Sequence, residues 1–215
     1  MRFIGNQFRK PSGFFGKIIS CIMVKGNSAA YDKIIRELAI EKHDKILEIG
    51  YGHGIGINKI SSLYDCTITG IDFSDLMRRE ATKRNKKHIH NKRVVLLYGD
   101  FLSADLGSNS FNKIFCLNVI YFWNNLNEPF AKIYEGLMAE GKFCLYMAHR
   151  ATLEKMKFTK DDIFNKYSLE EVVDCLELSG FKDVECKYDK GYHIVCRKQT
   201  GDVKVSESIP IRQQG

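Results

Sequence analysis

Residues 45–56 read Lys-Ile-Leu-Glu-Ile-Gly-Tyr-Gly-His-Gly-Ile-Gly, an apolar run that carries the carboxylate of Glu48 straight into glycines at 50, 52, 54 and 56. Glycine tolerates positive φ and has no Cβ, so a ligand can lie directly on the backbone of such a turn. Where the turn opens a helix, it also offers unpaired N–H groups at the positive end of the helix dipole. A dinucleotide fingerprint needs Gly-x-Gly-x-x-Gly or Gly-x-Gly-x-x-Ala. The sixth position counted from Gly50 is Ile55, and from Gly52 it is Ile57, so the spacing fails and disfavours a dehydrogenase.

Three further strand ends carry groups suited to a nucleoside. The run 67–72 closes on Asp72, followed by Phe73 and Ser74, with Met77 one turn on. The run 94–98 is followed by Gly99-Asp100-Phe101, and the run 113–118 ends in Asn118-Val-Ile-Tyr-Phe-Trp123. A carboxylate accepts hydrogen bonds from paired hydroxyls. An exocyclic amine needs an acceptor and a planar base needs apolar faces, for which Phe73, Met77 and Phe101 are candidates. Each group also has a plainer reading. Asp72 or Ser74 can cap a helix, Gly-Asp is common turn chemistry, and Tyr121 and Trp123 can be ordinary aromatic packing.

The order of glycine turn, Asp72, Gly99-Asp100 and the strand end at Asn118 resembles the motifs of class I S-adenosylmethionine (SAM) dependent methyltransferases. The resemblance covers about residues 45–150, and the domain is similar to the ubiquinone/menaquinone-type group. It implies SAM as cofactor, with Gly50, Gly52 and Gly54 letting the backbone approach it. Glu48 would support the turn and the methionine amino group, Asp72 would bind ribose, Asp100 and Phe101 would hold adenine, and Asn118 would lie near the methionine. The acceptor would face the ends of the fourth and fifth strands, where Tyr121, Trp123, His149 and Arg150 stand. Of these, Tyr121 and His149 are the catalytic candidates. Tyr51 and His53 depart from the small or polar residues commoner at those positions. No Asn-Pro-Pro-Tyr or Asp-Pro-Pro-Tyr follows the fourth strand, which argues against nucleic-acid amino methylation of that kind.

The elements that must position these groups alternate regularly. Short apolar runs near 45–49, 66–71, 94–98, 113–118 and 141–147 alternate with helical patterns near 54–64, 74–89 and 128–138. Pro129 suits a first helical turn. Ser168-Leu-Glu-Glu171 is a capping box that opens a helix to about 179, where Gly180 stops it. Strands near 184–189 and 192–197 are joined by Asp189-Lys-Gly191, a hairpin signal. The pattern predicts an α/β fold: a Rossmann-like seven-stranded, mostly parallel sheet with helices on both faces and an antiparallel last strand. In open α/β sheets ligands bind beyond the carboxyl ends of the strands, where every motif above falls.

The chain of 215 residues is 44% hydrophobic, enough for one sizeable core. We expect a SAM-binding domain over 27–198, preceded by an amphipathic helix in 1–26 and followed by a disordered tail over 199–215. The apolar residues at 14, 15, 18, 19, 22 and 23 keep helical spacing, which suits a lid, a membrane-surface helix or core packing. No stretch is long enough to span a membrane. Seven cysteines without a Cys-x-x-Cys pair, and histidines without ligand spacing, point to no metal and to reduced thiols in a cytoplasmic protein. The net charge of +7 is concentrated in residues 1–30 and 78–93. The preferred reading is methyl transfer to a small-molecule acceptor. The alternatives are a methyltransferase acting on RNA or protein through the basic patches, or a non-catalytic module of the same fold that binds partners.

Overall fold

The computed structural model describes residues 29–155 and 165–199. The expected helix in 1–26 and almost all of the expected tail lie outside the described residues. The chain order is helix α1 (29–38), β1 (Lys45–Ile49), α2 (Ile55–Leu63), β2 (Thr67–Asp72), α3 (Asp75–His90), β3 (Val94–Tyr98) and β4 (Phe111–Leu117). A 3-10 turn (Ile120–Phe122) and α4 (Asn127–Gly136) follow. Then come β5 (Leu137–Ala148), α5 (Arg150–Lys155), α6 (Leu169–Leu178), β6 (Lys182–Tyr188) and β7 (Gly191–Arg197).

The seven strands form one sheet in the order β3-β2-β1-β4-β5-β7-β6. β1 pairs in parallel with both β2 and β4, and β7 runs antiparallel to both β5 and β6. Strand order therefore reverses direction between β1 and β4, the place where an open α/β sheet splays its loops apart and leaves a crevice.

Alternating strand residues feed two apolar layers. Ile46, Ile68, Phe115 and Cys144 pack with Ile34 and Leu38 of α1, Ile57 and Ile60 of α2, and Ala81 of α3. Leu47, Ile49, Ile114 and Leu145 pack on the other face with Phe130 and Ile133 of α4 and Val172 and Leu176 of α6. Helices thus cover both faces, as the sequence pattern predicts. One strand differs from expectation. β5 starts at Leu137, directly after α4, and its pairing with β4 shifts between Phe111 and Lys113. The extra residues Leu137–Glu140 carry no strand signature because the irregularity breaks their alternation.

Local signals set several boundaries. Ser74 caps α3 by accepting from the Met77 N–H. Ser168 and Glu171 make the full capping box at α6, and Gly180 follows that helix at φ 99°.

Candidate active site

The glycine turn between β1 and α2 takes the conformation its composition calls for. Gly50, Gly52 and Gly54 stand at φ 72°, 49° and 67°. Each has its own reason to lack a side chain. A Cβ on Gly50 would lie 2.5 Å from Cγ2 of Val119, and one on Gly54 would lie 2.6 Å from Nδ2 of Asn85. Beside Gly52 and Gly99 an added Cβ would meet nothing within 4 Å. Tyr51 turns the other way. It is fully buried, donates its hydroxyl to the Leu97 carbonyl at 3.1 Å, and packs where a Cβ on Gly70 would lie 2.6 Å from its ring. An aromatic residue is accommodated at this position because it lies beneath the turn.

Asp72 ends β2 with 8% of its surface exposed. Its Oδ2 accepts from the Gly52 N–H at 2.9 Å and its Oδ1 from the Ser74 N–H at 2.8 Å. The carboxylate thus ties the glycine turn to the start of α3, and a carboxylate has further lone pairs to offer. Burial pushes its pKa up to about 6, against the pull of those two N–H groups.

A cleft of about 210 Å³ opens at the carboxyl ends of β1 to β4. Its walls include Gly50, Asp72, Phe73, Asp100, Phe101 and Trp123. Asp100 is exposed and folds its loop by accepting from the Leu102 N–H at 2.8 Å. Phe101 and Trp123 lie against each other tilted by 34°, with 6.1 Å between ring centroids, and Trp123 rests edge-on against Phe130 of α4. Val119 and Phe122 also line the cleft, although sequence reasoning passed over them. Their only signal is the apolar run continuing past β4.

Other predicted residues fall outside these walls. Met77 is buried under the first turn of α3. Asn118 takes φ 55°, a left-handed conformation that asparagine tolerates, and accepts the Tyr121 hydroxyl at 3.1 Å. The Tyr121 oxygen in turn accepts from the Ala148 N–H. Tyr121 is almost wholly buried, and burial raises its pKa. It bolts the end of β4 to the end of β5. His149 packs its ring against Tyr188 and Tyr192, and its Nδ1 accepts from the Ala151 N–H at 3.0 Å. The lone pair a base would use is spent on starting α5.

Glu48 is 1% exposed and faces α1, on the side of β1 away from the cleft walls of Ile49 and Ile71. Its Oε1 accepts the Tyr31 hydroxyl at 2.9 Å. Its Oε2 lacks a hydrogen-bond partner among the described residues and would stand 2.9 Å from a Cβ on Gly56. The Tyr31 hydrogen bond ties β1 to α1 beneath the sheet. Burial first, then the Asp72 charge, push the Glu48 carboxyl up to about 8, while the Tyr31 hydrogen bond draws it down. Both Glu48 and Asp72 hold their protons in the folded chain at pH values where the unfolded chain has lost them. The stability these two groups contribute therefore falls as pH rises, for Asp72 between about 4 and 6 and for Glu48 between about 4 and 8. Glu48→Gln, a neutral isostere, should raise the melting temperature at pH 8.5 by several degrees and have little effect near pH 4.5. Equal effects at both pH values in calorimetry would contradict a buried, neutral Glu48.

The basic stretch on α3 is only partly paired, with Lys86 and Lys87 exposed. Arg78 and Arg79 bridge to Asp75 at 2.7 and 2.8 Å, and Arg84 donates to the His53 carbonyl at 3.0 Å. Among the described residues no group of His, Cys, Asp and Glu could hold a metal, and no helix is long and apolar enough to cross a membrane.

A glycine-turned cleft at a topological switch point, with an acid at the end of β2, defines a nucleoside-binding α/β domain. Residues 46–141 match the family described as "Methyltransferase domain". An uncharacterized methyltransferase of Bacillus subtilis (strain 168) is 26% identical over 172 residues, covering 80% of this chain and 90% of the relative. Phosphoethanolamine N-methyltransferase of Plasmodium falciparum (isolate 3D7) is 25% identical, covering 75% of this chain but only 62% of that enzyme. A solved structure of Haemonchus contortus phosphoethanolamine N-methyltransferase 2, in complex with phosphomonomethylethanolamine and S-adenosylhomocysteine, superposes with a TM-score of 0.69. It is 18% identical, covering 80% of this chain and 53% of that one. Residues 46–141 are thus a SAM-dependent methyltransferase domain of class I fold, and the chain is similar over 80% of its length to a methyltransferase relative. The match is to the methyltransferase domain at large and does not single out the quinone-type group.

Proposed function

We propose that this chain transfers a methyl group from SAM to a small-molecule acceptor, and that it does so by positioning the reactants. The observation that carries the proposal is the cleft of Gly50, Asp72, Asp100, Phe101 and Trp123 at the β1/β4 switch. The residues present suit the cofactor. Open space beside Gly52 and Gly99 leaves room against the backbone, Asp72 has lone pairs left for ribose hydroxyls, Asp100 offers an exposed acceptor for an adenine amine, and Phe73 and Phe101 offer faces for its ring. Asn118, fixed by Tyr121, would sit nearest the methionine. Glu48 would act beneath the turn.

The cofactor brings its own activated methyl group and leaving group, so an in-line displacement asks the protein chiefly for orientation and exclusion of water. With the Tyr121 hydroxyl and His149 Nδ1 both committed to backbone N–H groups, neither is assigned as a general base. An unprotonated amine attacks through its own lone pair and needs none, whereas a hydroxyl or a protonated amine must give up a proton. The relatives that are phosphoethanolamine methyltransferases favour a small acceptor.

The test is incubation with SAM labelled in its methyl group, offered first a cell extract filtered free of macromolecules and then the protein and RNA fractions. Label is expected in the filtered fraction. Label confined to precipitable protein or RNA would replace the small-molecule reading with the macromolecular one. No transfer to any fraction, with cofactor bound, would favour the non-catalytic module.

A further inference from the structure

Phe101 is the wall on which the adenine reading rests, and it needs support from behind. It lines the cleft on one side and, on the other, a second cavity of about 150 Å³ between the 101–108 loop and α4. A phenyl ring dividing two cavities keeps its position only if the loop carrying it is held. The group that holds it comes from α4, thirty residues on. Nζ of Lys132 donates to the Leu102 carbonyl at 2.7 Å and to the Ala104 carbonyl at 2.6 Å, and stands 5.4 Å from the centroid of the Phe101 ring. An ammonium has three donors. Two satisfy loop carbonyls, and the cation lies within the range at which an aromatic face attracts it. Trp123 meets Phe101 as well and is itself backed by Phe130, also on α4. One helix thus props both aromatic walls of the cleft while Lys132 stays outside it.

We infer that Lys132 is a positioning residue for the nucleoside end of the cofactor: it clamps the Asp100–Ala104 turn and fixes Phe101 against the adenine ring. The inference rests on the proposed cofactor reading. It separates binding from chemistry, because the clamp touches the adenine wall and leaves the acceptor end of the cleft alone. Its loss should raise KM for SAM and the dissociation constant of S-adenosylhomocysteine and leave kcat nearly unchanged.

Trp123 is the only tryptophan in the chain and lies in the cleft wall, so its fluorescence reads occupancy directly. Titrations with S-adenosylhomocysteine would compare the full-length protein with Lys132→Met and Lys132→Arg. Methionine keeps the apolar stem and loses the donors, and arginine restores donors to the carbonyls. We expect about tenfold weaker binding for Lys132→Met, the size associated with losing hydrogen bonds from a charged group. Lys132→Arg should recover most of the affinity, and both unliganded variants should melt within a few degrees of the parent. Parental affinity in Lys132→Met would overturn the inference. So would equal loss in both variants together with a large drop in melting temperature, since that marks a structural role alone. A parent that does not bind would overturn the cofactor reading itself, and this inference with it.

Discussion

Replacing Asp72 with alanine is expected to weaken S-adenosylhomocysteine binding by about a hundredfold, or roughly 2.7 kcal/mol. Two losses add. The N–H groups of Gly52 and Ser74 lose their acceptor, and each buried donor left unpaired costs about 1–3 kcal/mol, which loosens the turn on which the cofactor would lie. The hydrogen bonds proposed to the ribose hydroxyls, strengthened by the carboxylate charge, are lost as well. Asp72→Asn keeps one acceptor oxygen and should fall between alanine and the parent. Because burial raises the Asp72 pKa to about 6, parental affinity should decline as pH falls through 6, while Asp72→Asn shows no such step there. Calorimetric titration across pH 5 to 8 would check both claims. Undiminished affinity in Asp72→Ala would remove this carboxylate from the binding site.

Gly54→Ala is expected to be the most destabilising single-methyl change in the turn, by roughly 2–5 kcal/mol. A left-handed alanine costs about 1–2 kcal/mol, and overpacking adds about 1–3 kcal/mol. The new Cβ would lie 2.6 Å from Asn85 Nδ2, 2.9 Å from Ala81 Cβ and 3.2 Å from Ala81 Cα, so it strikes the backbone of α3, which cannot simply swing aside. The Asn85 amide that donates to the Gly54 carbonyl would be displaced with it. Gly52→Ala is the matched control. It stands at a similar positive φ with nothing within 4 Å of its Cβ, so only the strain of about 1–2 kcal/mol should appear. Urea unfolding of the two variants would check the contrast, and equal losses would mean that packing against α3 adds nothing to the strain.

The residues that were legible in the sequence work locally. A glycine turn, the Ser74 cap, the Ser168–Glu171 box and the Asp189–Gly191 hairpin each depend on neighbours a few residues away, and the structure places all of them as the pattern predicts. The alternation of strands and helices likewise fixed the sheet and put Asp72, Asp100 and Phe101 at one end of it. What stayed hidden depends on distant partners. Glu48 meets Tyr31 across 17 positions, and no spacing rule announces that pairing. Lys132 meets the loop behind Phe101 across about 30 positions, and on the sequence it is one lysine among many. The early start of β5 is masked by an irregular register. His149 and Tyr121 looked available because sequence shows a titratable group and not the backbone N–H that occupies it.

The central claim is that the cleft between Gly50, Asp72, Phe101 and Trp123 holds SAM. Isothermal titration with S-adenosylhomocysteine, run beside NAD, tests it most directly. Saturable one-to-one binding of S-adenosylhomocysteine, no heat with NAD, and loss of the signal in Asp72→Ala are the predicted result. Absence of S-adenosylhomocysteine binding at millimolar concentration, or equal binding of NAD, would contradict the account.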